Sequence, residues 1–328
     1  EEILAVTFTN KAAEEMSKRV LSLLKQKNVQ LNIGTFHSIC SRLLRKEIHR
    51  LGFTRDFVIY DVQNQIALIR LVMDGMNIAR NYLDPKTVRN KISNFKNKMQ
   101  NPSAAKRSAR TILDKTICDV FKKYQIELQK NNALDFDDLL LFPLVLFEKF
   151  PEVLKKYQDK WKYVLVDEFQ DTNRPQFLFI NAIATVHNQI CVVGDDDQSI
   201  YGWRGADIRN ILDFEKSFPG CKIYKLEQNY RSTQQILNAA SAVVKNNENR
   251  ALKELKAMNG AGDKLGLLET NDEMEEADAL ISVLEKEIKM NKRTFSDFAV
   301  LYRTNVQSRA LEDSLRRNAI PYKIIGGI

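Results

Sequence analysis

The sequence predicts an α/β fold with doubly wound parallel sheets and a basic, largely helical insertion. Three observations support this prediction. Short apolar runs alternate with helical patterns in the first and last parts of the chain. Some of these runs are apolar throughout, which is typical of parallel strands buried on both faces. From about residue 60 to 155, strand patterns fade and amphipathic helical spacing dominates.

The chain opens with a strand, a turn and a helix. The strand is predicted over residues 3–8, and the helix follows because Ala12, Met16, Val20 and Leu23 recur at helical spacing. Thr9 or Asn10 precedes this helix, and either side chain can accept a hydrogen bond from its first turn. A second short strand over residues 32–35 leads into another helix.

The inserted segment carries most of the positive charge. Residues 80–130 contain thirteen Lys and Arg but four Asp and Glu, whereas the net charge of all 328 residues is +8. The rest of the chain is therefore close to neutral. Such a block favours a polyanionic partner such as nucleic acid, although a solvated helical face explains the charge equally well.

Strand patterns return after the insertion. Residues 163–166 and 190–193 are apolar runs, and the helix between them begins after Thr172 with Pro175 near its first turn. A further strand over residues 222–226 precedes a helix opened by Ser232 and Gln235, which have capping-box spacing. The remaining predicted elements are a helix at 273–290, a strand at 298–302 and a helix at 306–318.

Several classes of protein are disfavoured. The four cysteines and three histidines are scattered and no Cys-x-x-Cys pair occurs, so a metal cluster or disulfide framework is not predicted. The longest uncharged apolar run, residues 139–147, is too short to span a bilayer. The chain begins in a predicted strand without Met or a leader, which we interpret as a cut piece of a longer protein.

Two carboxylates follow the apolar run at residues 163–166. Asp167 and Glu168 are therefore expected at the carboxyl end of a parallel strand, where α/β sheets build ligand sites. A nucleotide-bound magnesium ion would balance their charge, held by the Asp as in a Walker B strand. The Glu can then activate water as a general base. An ordinary strand end with exposed acids fits the same pattern.

Six longer motifs resemble those of superfamily 1 helicases of the UvrD/Rep/PcrA group, and they occur in the family's order. The stretches similar to motifs Ia, Ib, II, III and IV and to the following family block are residues 7–13 (TFTNKAA), 34–38 (GTFHS), 167–171 (DEFQD), 194–206 (GDDDQSIYGWRGA), 228–232 (QNYRS) and 301–309 (LYRTNVQSR). The resemblance implies RecA-like P-loop NTPase domains. Residues 1–58 and 156–227 would form the first domain, 59–155 its insertion, and 228–328 half of the second.

The resemblance also implies a nucleotide site that uses ATP and Mg²⁺. Asp167 and Glu168 would hold the metal, and Glu168 would also position the attacking water. Gln198 would sense the γ-phosphate, Arg231 would act as an arginine finger, and Tyr230 would stack on adenine. Strand-edge packing for Tyr230 and a salt bridge for Arg231 are the structural alternatives.

Seven residues are implied to contact DNA. They are Phe8, His37, Tyr201, Trp203, Arg204, Arg303 and Asn305. Independently of the family, aromatic faces stack on unpaired bases and contribute roughly 1–3 kcal/mol per base. Phe8 fits core packing nearly as well, and His37 fits a turn cap. Gln198 and Trp203 lie within about 18 Å even on an extended chain, so one loop can serve both ligands.

The function implied by the resemblance is an ATP-dependent 3′–5′ DNA helicase or single-stranded DNA translocase of the repair or replication type. Its expected partners are single-stranded DNA and single-strand/duplex junctions, and its expected location is the cytoplasm, at the nucleoid. The motor part of a helicase–nuclease subunit and a non-catalytic DNA-binding fragment are the alternatives. Since no Walker A motif occurs, we expect a gap in the centre of the first sheet and an isolated chain that is inactive and poorly stable.

Overall fold

A computed structural model of the chain describes residues 2–25, 29, 31–79, 81–248 and 250–325. These residues form two compact units. The first consists of Glu1–Lys225 with Val244–Lys253, and the second of Leu226–Val243 with Glu254–Ile328. The strands are β1 Ile3–Thr7, β2 Asn32–Thr35, β3 Val58–Tyr60, β4 Ala133–Asp135, β5 Tyr163–Val166, β6 Ile190–Val192, β7 Gln228–Asn229 and β8 Lys256–Ala257.

Helices make up most of the remaining regular structure. They are α1 Asn10–Leu24, α2 Phe36–Glu47, α3 Val62–Asp74, α4 Pro85–Asn97, α5 Pro102–Ser108, α6 Ile112–Lys130, α7 Phe136–Lys149, α8 Pro151–Lys160, α9 Arg174–Ala184, α10 Arg209–Leu212, α11 Phe214–Ser217, α12 Gln234–Val244, α13 Glu273–Asn291 and α14 Ser308–Arg317. Among the described residues, no helix has both the length and the apolar character needed to cross a bilayer.

The first unit is built on a parallel sheet with the strand order β2-β1-β5-β6. Val6 pairs with Gly34 on one side and with Val166 on the other, so the carboxyl ends of these strands lie along one edge. The predicted α/β class with parallel strands is confirmed. The expected central gap is wrong, because β1 pairs directly with β5.

One face of this sheet packs against the core and the other does not. Val164 and Val166 of β5 are buried against side chains from α2, α7 and α9. In contrast, Tyr163 and Leu165 of the same strand are 48% and 44% exposed. The expectation that both faces of β5 are buried is therefore wrong. An apolar run shows that a strand is compatible with burial, but not that other elements pack on both of its faces.

Helix caps follow the predicted chemistry in the first unit. The Thr9 hydroxyl accepts a hydrogen bond from the Ala12 N–H at 3.1 Å and caps α1, as predicted. Helix α9 begins after Asn173, whose side chain forms a reciprocal capping box with Gln176. This cap fixes the start of the helix that directly follows the acidic motif.

The inserted segment has its own core, formed by apolar side chains of α3, α4, α5 and α6. It also contains β4, which pairs with β3 as a short parallel ladder that the helical prediction missed. Three-residue strands are too short to show a period in the sequence. Apart from buried Lys96 and half-buried Arg89, the described Lys and Arg side chains of residues 80–130 are exposed.

Two predicted strands, at residues 222–226 and 298–302, are absent, and both predictions were wrong. Ile223 is 73% exposed and Leu301 is 92% exposed. Among the described residues neither stretch has a neighbouring strand, so neither forms the ladder of hydrogen bonds that defines a β-sheet.

Helices of the second unit lie near their predicted positions. Helix α13 begins at Glu273 after its N-cap Asp272, which confirms that prediction. Helix α12 begins at Gln234, so the predicted opening at Ser232 was wrong by one residue, since Thr233 precedes the helix. The described strands of this unit form one parallel pair, β7 with β8.

Candidate active site

The acidic motif lies at the carboxyl edge of the first sheet. Asp167 directly follows β5, and its N–H donates to the Val6 carbonyl at 2.9 Å. The next residue, Glu168, has φ 53°, so the chain turns sharply in a left-handed conformation that non-glycine residues adopt at a cost of about 1 kcal/mol or more. This turn leaves the Glu168 side chain exposed at the sheet edge.

A second acidic cluster lies in the loop after β6, and two protein cations balance most of its charge. The carboxylates of Asp195, Asp196 and Asp197 lie within 4.8 Å of one another. The Lys253 ammonium contacts all three, at 2.9 Å for Asp196 and 3.1 Å for Asp197. The Arg250 guanidinium pairs with Asp197 at 2.8 Å. These two cations hold the pKa of Asp197 below its ordinary value, although burial opposes them.

Asp167 and Glu168 differ from that cluster in their charge balance. Among the described residues, no lysine, arginine or histidine pairs with either carboxylate. Two carboxylates at a strand end without a protein counter-ion are a donor set that suits a hard divalent cation. The residues present therefore fit the predicted magnesium site better than the aspartate cluster does.

Gln170 connects the acidic motif to the loop after β6. Its Nε2 donates to Glu168 Oε2 at 2.8 Å, and its Oε1 accepts from the Asp195 N–H at 3.0 Å. The Gln170 side chain is 1% exposed, and both of its hydrogen bonds are partly buried. In the same loop, Gln198 Nε2 donates to Asp195 Oδ2 at 2.7 Å. Glu168, Gln170, Asp195 and Gln198 thus form one hydrogen-bonded chain.

Gln170 was not among the site residues predicted from the sequence. The residue lies inside the acidic motif, but its type and position carry no sign of burial. Only the pairing of β5 with β6 brings the loop after β6 within reach of its amide. Its contribution was therefore not visible in the order of residues alone.

Gly194 is required where this loop leaves β6. An added Cβ would lie 2.5 Å from Gln170 Oε1, 2.8 Å from Ile211 Cδ1 and 3.2 Å from the Phe169 nitrogen. We expect Gly194→Ala to destabilise the protein by about 1–3 kcal/mol through overpacking. Thermal unfolding measures this against Gly202→Ala, since an added Cβ at Gly202 meets nothing within 4 Å. Equal melting temperatures of the two variants would contradict the prediction.

Three aromatic side chains form a cluster beside the acidic motif. Phe8 directly follows β1, and its ring stacks on Tyr201 with centroids 5.0 Å apart and an interplanar angle of 29°. The Tyr201 and Trp203 centroids are 6.5 Å apart, and Trp203 is 75% exposed. Phe8 is only half-buried, so it is not a core residue. The Arg204 side chain lies outside the described residues.

A second aromatic pair follows the neighbouring strand. Thr7 and Thr35 are paired in β1 and β2, so Phe8 and His37 follow adjacent strand ends. The His37 ring is in edge contact with Phe136, with centroids 5.8 Å apart, and burial lowers the pKa of His37. Thr35, rather than His37, caps α2. Phe136 is 45% exposed. It was not predicted as a site residue, because an aromatic residue at a helix start resembles a core residue.

Four predicted site residues lie in the second unit and are exposed. Tyr230 and Arg231 follow β7; the Tyr230 hydroxyl donates to Gln228 Oε1 at 2.7 Å, and the Arg231 N–H donates to Asn229 Oδ1 at 3.0 Å. Arg303 precedes a short 3₁₀ turn that begins at Asn305. The roles of these residues in nucleotide and DNA binding stay predictions.

The chain belongs to the UvrD/REP helicase family. The family model of the UvrD/REP helicase N-terminal domain matches residues 1–219, and the model of the UvrD-like helicase C-terminal domain matches residues 224–328. The resemblance found in the motifs is therefore confirmed.

Curated relatives are similar along nearly the whole chain. The ATP-dependent DNA helicase PcrA of Staphylococcus epidermidis is 45% identical over 325 residues, and its counterpart from Staphylococcus aureus is 44% identical over 325 residues. Each alignment covers 99% of this chain and 44% of the relative. The chain thus spans less than half the length of the relatives that it matches.

Proposed function

We propose that this chain is part of an ATP-dependent DNA helicase motor that moves along single-stranded DNA from 3′ to 5′. The observation that carries the proposal is the hydrogen-bonded chain from Glu168 through Gln170 to Asp195 and Gln198. It joins a candidate site of phosphate chemistry to the loop that carries Tyr201 and Trp203. The relatives named ATP-dependent DNA helicase support the same activity.

On the nucleotide side, Asp167 and Glu168 are the residues that would hold Mg²⁺. The ion, when bound, neutralises charge on the phosphate oxygens. Glu168 orients the attacking water and accepts its proton, while Gln170 holds this carboxylate by donating to Oε2. Gln198 contacts the γ-phosphate. Arg231 stabilises charge on the transferring phosphoryl group.

On the DNA side, the aromatic surface binds unpaired bases without regard to sequence. Phe8, Tyr201 and Trp203 provide one stacking platform, and His37 contacts the strand beside it. Polar contacts to the DNA come from Arg204, Arg303 and Asn305. The substrates are single-stranded DNA and single-strand/duplex junctions, and the work is repair or replication at the nucleoid in the cytoplasm.

The proposed domain boundaries are those implied by the resemblance to UvrD/Rep/PcrA helicases. Residues 1–58 and 156–227 belong to the first RecA-like domain, with 59–155 as its insertion. Residues 228–328 belong to the second RecA-like domain.

ATP hydrolysis by the full-length parent protein, titrated with oligo-dT, tests the proposed function. Wild-type hydrolysis should be stimulated by DNA. Trp203→Ala removes an exposed stacking face and should raise the DNA concentration for half-maximal stimulation by about ten-fold or more. Trp203→Phe keeps an aromatic face and should stay within about three-fold of wild type.

Two results would count against this proposal. A parent protein that binds oligo-dT but hydrolyses no ATP would support the non-catalytic alternative. If Trp203→Ala and Trp203→Phe need the same oligo-dT concentration for half-maximal stimulation, base stacking does not explain the role of Trp203.

Polarity is tested separately with tailed duplexes. A translocase moving 3′ to 5′ should separate a duplex with a 3′ single-stranded tail and leave a duplex with a 5′ tail intact. Unwinding that requires a 5′ tail would reverse the proposed direction and leave the motor assignment in place.

A further inference from the structure

Asn97, the last residue of α4, lies where four distant parts of the first unit meet. Its Oδ1 accepts from Asn173 Nδ2 at 2.9 Å. Its Nδ2 donates to the Ser93 carbonyl at 2.9 Å and to Asp137 Oδ1 at 3.3 Å. A Cβ added to Gly205 would lie 3.5 Å from Asn97 Cγ, so the Gly205 backbone packs beside this amide. The insertion, the segment after the acidic motif and the aromatic loop therefore all contact the Asn97 side chain.

The insertion side of this contact is firmly held. The neighbouring Lys96 is 1% exposed, and its Nζ donates to Asp135 Oδ2 at 2.6 Å and to Asp138 Oδ1 at 2.8 Å. The last turn of α4 cannot move without disturbing these buried ion pairs, and removing one partner of such a pair leaves an unpaired buried charge. Asn97 is therefore fixed relative to the start of α7.

On its other side, the end of the aromatic loop is pinned to the segment that follows the acidic motif. Asn173 and Ala206 form an isolated antiparallel bridge. The Asp207 N–H donates to the Thr172 carbonyl at 3.0 Å, and Asn210 Nδ2 donates to the same carbonyl at 2.9 Å. A displacement of Asn173 would therefore be transmitted to the exit of the loop that carries Trp203.

We propose that Asn97 is a positioning residue for DNA binding: through Asn173 and Gly205 it sets the position of the loop that carries Tyr201 and Trp203. This inference rests on the proposed function and adds a route by which the helical insertion influences the stacking surface. Asn97 lies outside every helicase-like motif in the chain. It acts by holding Asn173 and the exit of the loop, and not by touching nucleotide or DNA.

The test uses Asn97→Ala and Asn173→Ser in the full-length parent protein, with Asn94→Ala as the control. Serine at 173 can still cap α9 but is too short to reach Asn97. Asn94 is an exposed residue of the same helix. Each variant is assayed for ATP hydrolysis against oligo-dT concentration and against ATP concentration, and its melting temperature is recorded.

Asn97→Ala and Asn173→Ser should each raise the oligo-dT concentration for half-maximal stimulation by about five-fold, the effect of losing one partly buried hydrogen bond. The KM for ATP and the rate at saturating DNA should match wild type, as should all parameters of Asn94→Ala. Since both substitutions break the same bond, the double variant should be no worse than either single variant. If Asn97→Ala does not fold, Asn173→Ser still tests whether the hydrogen bond between Asn97 and Asn173 affects DNA binding.

The positioning role is overturned if both single variants need no more DNA than wild type, or if their effects multiply in the double variant. It is also overturned if the variants lose stability and maximal rate while the half-stimulating DNA concentration is unchanged. A wild-type protein that DNA does not stimulate would overturn the proposed function itself, and this inference with it.

Discussion

Glu168→Gln in the full-length parent protein is expected to lower the DNA-stimulated rate of ATP hydrolysis by about 10²–10⁴-fold. Glutamine has nearly the same shape and can still accept the Gln170 hydrogen bond, but it cannot take a proton from water. Binding of oligo-dT should therefore change little. Steady-state hydrolysis and equilibrium binding, measured on the same preparation, separate these two effects.

Glu215→Gln is a matched control for that experiment. Glu215 is an exposed residue of α11, and neutralising it should leave the rate within about two-fold of wild type. If Glu168→Gln hydrolyses ATP at the rate of this control, Glu168 is not the general base. The roles proposed for Asp167 and Glu168 would then be wrong.

Lys96→Met is expected to lower the free energy of unfolding by about 3–5 kcal/mol, because it leaves buried carboxylates without their cation. Lys96 contacts both Asp135 and Asp138, and all three side chains are at most 2% exposed. Urea unfolding of wild type and variant measures the loss. Lys98→Met is the control: Lys98 is exposed, and its substitution should change stability by no more than about 0.5 kcal/mol.

The loss on Lys96→Met should be larger at pH 8 than at pH 5. Burial and the charge of Asp135 raise the pKa of Asp138 to about 7 and that of Asp137 to about 6, against an ordinary value of 3.8. A raised folded-state pKa means that the folded protein binds the proton more tightly. The resulting stabilisation is complete below pH 3.8 and is lost as the pH rises through 6 and 7.

Lys96 lowers the pKa of both Asp137 and Asp138, so in the variant these carboxyls should bind protons more tightly than in wild type. The variant should therefore lose more stability than wild type as the pH rises from 5 to 8. Urea unfolding of the variant and of wild type at both values measures the difference. If Lys96→Met lowers the free energy of unfolding equally at pH 5 and pH 8, the raised pKa values of Asp137 and Asp138 are contradicted.

Local sequence patterns predicted the elements that depend on neighbouring residues. Thr9 caps α1 and Asp167 directly follows β5, because each arrangement involves only a few consecutive residues. The strand predicted at residues 298–302 failed for the opposite reason: a strand needs a partner, and pairing is not encoded in the segment itself.

The same distinction between local and long-range features applies to the residues of the candidate site. Asp167, Glu168 and Trp203 stand out in motifs, and their residue types suggest their chemistry. Gln170 and Asn97 do not, because their importance comes from contacts with Asp195 and Asn173, which lie far away along the chain. Such contacts become visible only once the strand order is known.

The central claim is that the nucleotide site and the aromatic DNA surface form one linked structure, joined at Gln170. Linkage is most directly measured as the affinity of the full-length parent protein for oligo-dT, with and without a non-hydrolysable ATP analogue. The account predicts a change of at least about five-fold, and oligo-dT should change the affinity for the analogue by the same factor. Identical oligo-dT affinities in the two states would contradict the claim.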